Sequence, residues 1–416
     1  MLKKKPRSDL IAALDVGSTK IACFVAKADG TAAHVVGIGH QVSRGVRNGS
    51  LVDMDAAEAA ILTAVTAAER MAGEALRDVI VNISGAQPVS RTVSVEVAIN
   101  GHEIGDHDIR RVTELGRNAD TTPERRLLHA IPTGYSIDGS RGIRDPRGMC
   151  GQRLGGLMHV VTGHTGAIRN LETVIGRCHL NVDGMVVAPY ASGLACLVDD
   201  EMDLGVTVID MGGGTTTFAV FADGHLVHTD SVAVGGAHVT NDIARGLSTP
   251  VAHAERMKTL YGTATVSSAD EREVIDVPLV GEEDQAQPNH VPKSILTGII
   301  RPRLEETFEL VRARLEASGF DKVAGRRVVL TGGASQLQGV RDLAALILDK
   351  QVRMGKPLRI AGLSDQTGGP AFSTCAGLIG YALNRNVEAL LPAAAAAKPG
   401  AGPFGMLRWV KEHFLT

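Results

Sequence analysis

Val206-Thr-Val-Ile-Asp210-Met-Gly212-Gly213-Gly214-Thr215-Thr216-Thr-Phe-Ala-Val-Phe221 is the stretch that decides the fold. An apolar run ends in a carboxylate, turns through three glycines flanked by hydroxyl residues, and returns as a second apolar run. Short apolar runs on either side of such a turn predict two buried strands. The chain opens on the same design about 195 positions earlier, in Leu10-Ile-Ala-Ala-Leu-Asp15-Val-Gly17-Ser18-Thr19-Lys20-Ile-Ala-Cys-Phe-Val-Ala. A unit repeated at that separation predicts two related α/β halves facing one cleft. Val328-Val-Leu-Thr-Gly332-Gly333-Ala334-Ser335 then reads as a third buried strand closed by a glycine turn.

Glycines at strand ends accept positive φ and close approach, so backbone N–H groups line a concavity suited to phosphate oxygens. Ser18, Thr19, Thr215 and Thr216 add hydroxyl donors. Asp15 and Asp210 suit Mg²⁺ held through water, because Mg²⁺ keeps much of its hydration shell and bridges carboxylates to phosphates. A lone Asp-x-Gly is equally a plain β-turn. Three glycine turns, each closing a buried strand, predict nucleotide binding. Gly-x-x-x-x-Gly-Lys-[Ser/Thr] does not occur, and no Gly-x-Gly-x-x-Gly stands between a strand and a helix, which sets aside P-loop and Rossmann enzymes.

Composition narrows the classes further. At 416 residues the chain has room for two to four domains. With 43 Lys+Arg against 46 Asp+Glu there is no basic excess for nucleic acid, and 3% aromatics leave few stacking platforms. Five scattered cysteines, none in a Cys-x-x-Cys pair, fit a reducing cytoplasm and buried packing roles. The basic N-terminus lacks an apolar signal core because Asp15 and Lys20 interrupt it, and no 18-residue apolar run predicts a membrane span. Fourteen histidines include no His-Glu-x-x-His; His159 and His164 read as structural.

Between the glycine units, Asp55–Ala75 has helical spacing (Ala57, Ile61, Val65, Ala68) and Val79-Ile-Val-Asn-Ile returns to a strand. From about 87 to 163 the texture changes to an alternating strand, a helix over Asp106–Arg117 and a Gly/Pro/Arg loop carrying Arg141, Arg144, Arg147 and Arg153. This reads as a self-contained α+β insertion. Residues 251–289 are mostly polar. Leu337–Leu348 reads as helix, and Pro302 in Ile300-Arg301-Pro302-Arg303 suits a helix start. Leu391-Pro-Ala-Ala-Ala-Ala-Ala-Lys-Pro-Gly-Ala-Gly-Pro403 reads as a tether reaching roughly 20 Å by random-coil scaling. Beyond it, Met406, Leu407, Trp409, Val410 and Phe414 share one helical arc, with Arg408 and Glu412 opposite: an amphipathic helix suited to a membrane surface.

Asp15–Lys20, Asp210–Thr216 and Thr331–Ser335 resemble the phosphate-1, phosphate-2 and adenosine motifs of the actin/Hsp70/sugar-kinase superfamily. With His129-Ala-Ile-Pro-Thr-Gly-Tyr-Ser-Ile-Asp138, Asp145-Pro-Arg-Gly-Met-Cys-Gly-Gln-Arg-Leu154, Gly235-Gly-Ala-His-Val-Thr-Asn-Asp-Ile-Ala244, Ile300–Glu306 and the tethered tail, the chain resembles the FtsA family of bacterial cell-division proteins over nearly its whole length. That resemblance implies an actin-like fold, two related α/β halves around a nucleotide cleft, with a small inserted subdomain 1C and the C-terminal amphipathic helix. The divisions it implies are 1A at 9–87, 165–203 and 366–390, and 1C at 88–164. Subdomain 2A takes 204–248 and 311–365, 2B takes 249–310, the linker 391–403 and the membrane helix 404–416. It also implies ATP with Mg²⁺, polymerisation with itself, tethering of the tubulin-like FtsZ ring to the cytoplasmic face of the inner membrane, and recruitment of later division proteins.

By the same resemblance Glu255 and Lys258 match positions flanking the adenosine, although an i,i+3 ion pair would equally explain them. Gly235-Gly236 is a further phosphate-side turn or a hairpin. Arg301 and Arg303 lie where the family receives the FtsZ tail, or serve the helix start. One departure bears on mechanism. Where related hydrolases carry a Glu or Gln that orients water, this chain has Ala188, and Ser192 is a poor base. ATP is therefore expected to act as a structural switch with slow or no hydrolysis. A small-molecule kinase or a pilus-assembly platform of the same superfamily is the competing reading.

Overall fold

The computed structural model describes residues 10–30, 32–119, 122–267, 270–281 and 289–384. The expected linker and membrane helix, residues 391–416, lie outside them. The chain begins with β1 (Leu10–Val16), β2 (Lys20–Asp29) and β3 (Ala32–Val42), a short hairpin of β4 (Val46–Arg47) and β5 (Ser50–Leu51), α1 (Met54–Ala72) and β6 (Asp78–Ile83). An insertion follows: β7 (Val89–Ala98), α2 (Asp106–Asn118), β8 (Arg125–Ile137), β9 (Ser140–Ile143) and β10 (Arg153–His164). The first half is completed by α3 (Thr165–Arg177) and β11 (Asn181–Val187), and α4 (Ala188–Cys196) and α5 (Asp199–Leu204) lead away from it. The second half runs β12 (Val206–Met211), β13 (Thr216–Ala222), β14 (His225–Val232), α6 (Gly236–Gly246), α7 (Val251–Tyr261), β15 (Val274–Val277) and β16 (Asn289–Pro292). It ends with α8 (Lys293–Ser318), β17 (Arg327–Thr331), α9 (Val340–Leu348) and β18 (Gln351–Met354), before α10 (Ser373–Leu383).

The repeat seen in the sequence is a repeat of topology. The first sheet has order β11-β6-β1-β2-β3 and the second β14-β13-β12-β17-β18. In each, three consecutive strands form an antiparallel meander, and two later strands add in parallel beyond the first of the three. This is the actin-like α/β arrangement. Both glycine turns therefore sit at the end of a sheet's middle strand, β1 or β12, where it hands over to the next.

Local chemistry sets the helix ends. Asp53 caps α1 by accepting from the backbone N–H groups of Asp55 and Ala56, and Gly73, at φ +75°, stops it three residues short of the expected end. The helix expected from Leu337 begins only at Val340, because Gly333–Gln336 is a single 3₁₀ turn and Gly339 adopts φ +78°. Polar 251–261 forms α7. Pro302 does not start a helix: α8 begins at Lys293, and the proline lies in its interior. A proline there removes one intrahelical hydrogen bond and crowds the carbonyl four residues back, that of Gly298.

The insertion is a four-stranded antiparallel sheet, β7-β10-β8-β9, with α2 against it. Much of it has its own apolar clusters, among them Ile99, Ile109, Val112 and Leu154. It is less self-contained than its sequence suggests. Ile131 and Val161 join the largest core, together with Val187, Tyr190 and Ala191 of the first half and Val208 and Phe221 of the second. His129 on β8 accepts the Val187 N–H at 3.1 Å. At the other side, Ser90 on β7 accepts the Thr229 N–H of β14 at 3.2 Å, with His159 Nε2 and His228 Nδ1 each 3.4 Å from the same hydroxyl. Burial, with His228 and His129 adding, pushes His159 down to about 3, so it is a neutral packing residue. The insertion thus rests on both halves.

Candidate functional site

The two glycine turns are built alike. After Asp15 the Gly17 N–H donates to the Lys20 carbonyl at 3.1 Å, and after Asp210 the Gly212 N–H donates to the Thr215 carbonyl at 2.9 Å. They face one another closely: a Cβ on Gly213 would meet the Thr19 side chain at 2.3 Å, and one on Gly214 the Ser18 Oγ at 2.5 Å. The third turn comes in from β17. Gly332 has φ +90° and ψ 164°, and a Cβ there would meet Asp210 Oδ1 at 2.4 Å. Only glycine suits that backbone and that distance.

Between these turns lies a cavity of about 620 Å³. It is lined by Asp15, Gly17, Ser18, Thr19 and Lys20 from the first half, and by Asp210, Gly212, Gly213, Gly214, Thr215 and Gly236 from the second. Glu255, Lys258, Gly332, Gly333 and Ala334 complete the share that the sequence pointed to. Three expected residues turn elsewhere. The Thr216 hydroxyl donates to the Val234 carbonyl at 2.8 Å, and the buried Ser335 hydroxyl to the Gly332 carbonyl at 2.7 Å. Gly235 packs behind the second turn, while the Gly236 and Ala237 N–H groups donate to the Gly212 and Gly213 carbonyls. Glu255 and Lys258 form the i,i+3 pair, 2.7 Å apart, and also border the cavity; Lys258 further donates to Thr240 Oγ1 at 2.8 Å.

The electrostatics are those of a site built for a ligand carrying charge. Burial pushes the Asp15 carboxyl up to about 7, Lys20 opposing and Asp210 adding to the rise. Burial also raises Asp210, against the hydroxyl donors Ser192 and Thr374. Lys20 is lowered by burial; its ammonium donates to the Ala371 carbonyl and lies 3.3 Å from the centroid of the Phe372 ring. Two buried carboxylates with one partly desolvated lysine are short of positive charge. Among the described residues no group of three or more His, Cys, Asp or Glu could enclose a metal. Two carboxylates completed by water and phosphate oxygens fit Mg²⁺, which needs no protein cage.

Several lining residues escaped the sequence reading. Asn82 accepts the Val16 N–H at 2.7 Å beneath the first turn, and Thr374 donates to Asp210 at 2.8 Å. A pair of hydroxyls heading the apolar helix Ser373-Thr-Cys-Ala-Gly was the available signal for the latter. Ala188 does line the cavity, and Ser192 faces Asp210 instead of the open space. Arg301 pairs with Glu305 at 2.7 Å, and Arg303 grips Asp242 and Glu306, so both guanidiniums are engaged within the fold.

Comparison with known proteins bears on what such a site serves. A family model described as "Cell division protein FtsA" matches residues 207–377, and one described as "SHS2 domain inserted in FTSA" matches residues 85–162. The Cell division protein FtsA of Rhizobium meliloti (strain 1021) is 46% identical over 98% of this chain and 96% of its own length. Among solved structures, a chain of a PilM–PilN type IV pilus biogenesis complex superposes with TM-score 0.64 at 18% identity, covering 92% of this chain and 100% of that one. MreB5 of Spiroplasma citri bound to ADP does so with TM-score 0.54 at 13% identity, covering 92% and 99%. At those identities the two structures speak for the actin-like fold alone.

Proposed function

This chain belongs to the FtsA family of cell-division proteins, and on that premise we propose that it binds ATP with Mg²⁺ in the cleft and polymerises through actin-like contacts. In the same proposal it tethers FtsZ to the cytoplasmic face of the inner membrane and recruits later division proteins. The observation that carries the nucleotide reading is the pair of like-built Asp–Gly turns facing each other across the cavity, each contributing one buried carboxylate. A fold neighbour holds ADP. Backbone N–H groups and Ser18, Thr19 and Thr215 would cradle phosphates, Asp15 and Asp210 would hold the hydrated Mg²⁺, and Glu255, Lys258 and the Gly332–Ala334 turn would border the adenosine. Mg²⁺ supplies charge neutralisation of the phosphates. With Ala188 at the position where a water-orienting Glu or Gln would be needed, hydrolysis is slow or absent and ATP serves as a switch.

The membrane part rests on the sequence of residues 404–416. Five apolar side chains at ~1.5–3 kcal/mol each when fully buried, about half realised at an interface, give ~4–7 kcal/mol. One helix then binds reversibly, and a polymer displaying many binds firmly. An acidic FtsZ tail reaching Arg301 and Arg303 would have to displace Glu305, Glu306 and Asp242 from them.

The test has two arms. Asp210→Ala and Gly213→Val are expected to abolish binding of a fluorescent ATP analogue, the first by removing a carboxylate, the second by driving bulk into Thr19. Leu407→Glu and Trp409→Glu are expected to bind the analogue normally yet fail to pellet with acidic vesicles or to bring FtsZ to them. Unchanged analogue binding in the first pair sinks the nucleotide site; unchanged pelleting in the second sinks the anchor.

A further inference from the structure

The carboxylate of Asp210 is held by hydroxyls from two helices that the sequence separates by almost half its length. Ser192 Oγ on α4 donates to Asp210 Oδ2, and Thr374 Oγ1 on α10 donates to the same oxygen at 2.8 Å. The two hydroxyls are 3.0 Å from each other. All three residues are buried, at 0%, 8% and 7% exposure for Ser192, Thr374 and Asp210, with Thr374 and Asp210 bordering the cavity. The other oxygen, Oδ1, lies on the side where Gly332 makes its close approach. One oxygen is therefore pinned, and the carboxylate plane is fixed with it.

The helices that supply the hydroxyls form the joint between the halves. α4 packs on β12 and β13 of the second sheet and more lightly on β11 and β6 of the first, α10 packs on β1, β6 and β2 of the first, and the two helices pack on one another. Their crossing is so close that a Cβ on Gly377 would stand 1.7 Å from the Ala191 carbonyl oxygen. A second set of buried hydroxyls lies beside the first. Ser373 Oγ is 2.8 Å from Thr331 Oγ1 and accepts from the Cys196 thiol at 3.2 Å, tying α10 to β17 and to α4 one turn beyond Ser192. Hydrogen bonds tolerate only a few tenths of an ångström before weakening. A rotation of the halves that shifts α4 against α10 moves Ser192 and Thr374 relative to each other, and they then cannot both keep Asp210 Oδ2.

We propose that Ser192 and Thr374 are positioning residues: from the two sides of the joint they aim Asp210 at the divalent cation, so that the cation is held well only when the halves stand in the relation that lets both hydroxyls reach one oxygen. This rests on the proposed Mg²⁺-nucleotide reading of the cleft. In physical terms it is pre-organisation, because a carboxylate already fixed in direction has no rotamer freedom left to lose when the cation arrives. It also gives the joint a means of sensing the site, since a cation drawing on Asp210 favours the arrangement in which both donors are in place.

The experiment is the ratio of affinities for a fluorescent ADP analogue in excess EDTA and in millimolar Mg²⁺, measured on the full chain. A ratio is used because general loosening of the cleft weakens both conditions together, whereas a misaimed Asp210 removes only the gain from Mg²⁺. The parent is expected to tighten on Mg²⁺ by at least tenfold. Ser192→Ala and Thr374→Val are expected to lose most of that gain, and Thr374→Ser, which keeps the hydroxyl, to retain it. Circular dichroism and thermal unfolding establish that each variant is folded, and the Thr374→Val protein, with Thr374→Ser as its hydroxyl-keeping control, decides the matter if Ser192→Ala does not fold. A parent-like ratio in folded Thr374→Val overturns the proposal while leaving the cleft reading intact. A parent that binds the analogue equally with and without Mg²⁺, or not at all, overturns the cleft reading and this proposal with it.

Discussion

Gly332→Ala is expected to be the most damaging single-methyl addition in the described part of the cleft, and its size follows from two separate terms. The backbone at φ +90°, ψ 164° belongs to a region that is essentially glycine-only, so an alanine held there is strained by ~1–3 kcal/mol. The new Cβ would also stand 2.4 Å from Asp210 Oδ1 and 2.5 Å from the Met211 carbonyl oxygen. The second neighbour is backbone in the middle strand of the sheet and cannot rotate away. Overpacking of this kind adds ~1–3 kcal/mol. Together they give ~2–6 kcal/mol, with ~3–4 the central expectation. Gly73→Ala is the reference without a clash: Gly73 sits in the left-handed region at φ +75°, ψ 12°, with nothing within 4 Å of its Cβ position, and the change should cost ~1 kcal/mol. Gly369→Ala, at φ −81° in open space, should cost ~0. Scanning calorimetry of the nucleotide-free protein reads the series. For a cooperative unit of 150–250 residues ~1 kcal/mol corresponds to ~2–4 °C, so Gly332→Ala should melt ~6–16 °C lower and Gly73→Ala ~2–4 °C lower. Nucleotide should raise the melting temperature of Gly73→Ala as in the parent and fail to do so for Gly332→Ala, whose methyl displaces Asp210. Gly332→Ala melting together with Gly73→Ala would refute the close approach to Asp210 on which the site description depends.

Asp15→Asn should stabilise the empty protein while disabling the site. Asp15 is raised from 3.8 to about 7 in the fold, so its favourable contribution is complete below the unfolded value and is drained as pH climbs to 7, by up to ~1.4 kcal/mol per pH unit. Without nucleotide, the variant should melt above the parent at pH 8 and near it at pH 4.5; melting below the parent at pH 8 would contradict the burial assigned to this carboxylate. Excision of residues 89–164 should leave a poorly soluble product, because Ile131 and Val161 are removed from the main core and the Val187 N–H loses His129. Gel filtration and thermal unfolding check this, and a monodisperse product melting like the parent would show that the insertion contributes nothing to the core beneath it.

What could be read from the chain was the part written in local pattern. Asp15-Val-Gly17 and Asp210-Met-Gly212 are short, repeated and flanked by apolar runs, and the paired sheets follow from them. Helix limits were read less well, since Gly73 and Gly339 act through backbone conformation and the start of α8 at Lys293 carries no side-chain cap. Long-range pairing could not be read. Thr374 reaches Asp210 across 164 positions, and Arg303 reaches Asp242 across 61, so one side chain's role is decided by a partner that no spacing rule connects to it. The insertion shows the same limit. Its alternating strands announce a sheet, but which of their apolar residues face outward to another core depends on where that sheet is set down.

The seating of that sheet has a mechanical consequence. It is rooted in the first half through β8 and β10 and also leans on the second, at Ser90 and Thr229. Two connections acting together make a frame stiffer than either alone. A rotation of one half against the other has either to break the Ser90–Thr229 bond or to carry the insertion with it, so the seat of the insertion adds to what such a rotation costs.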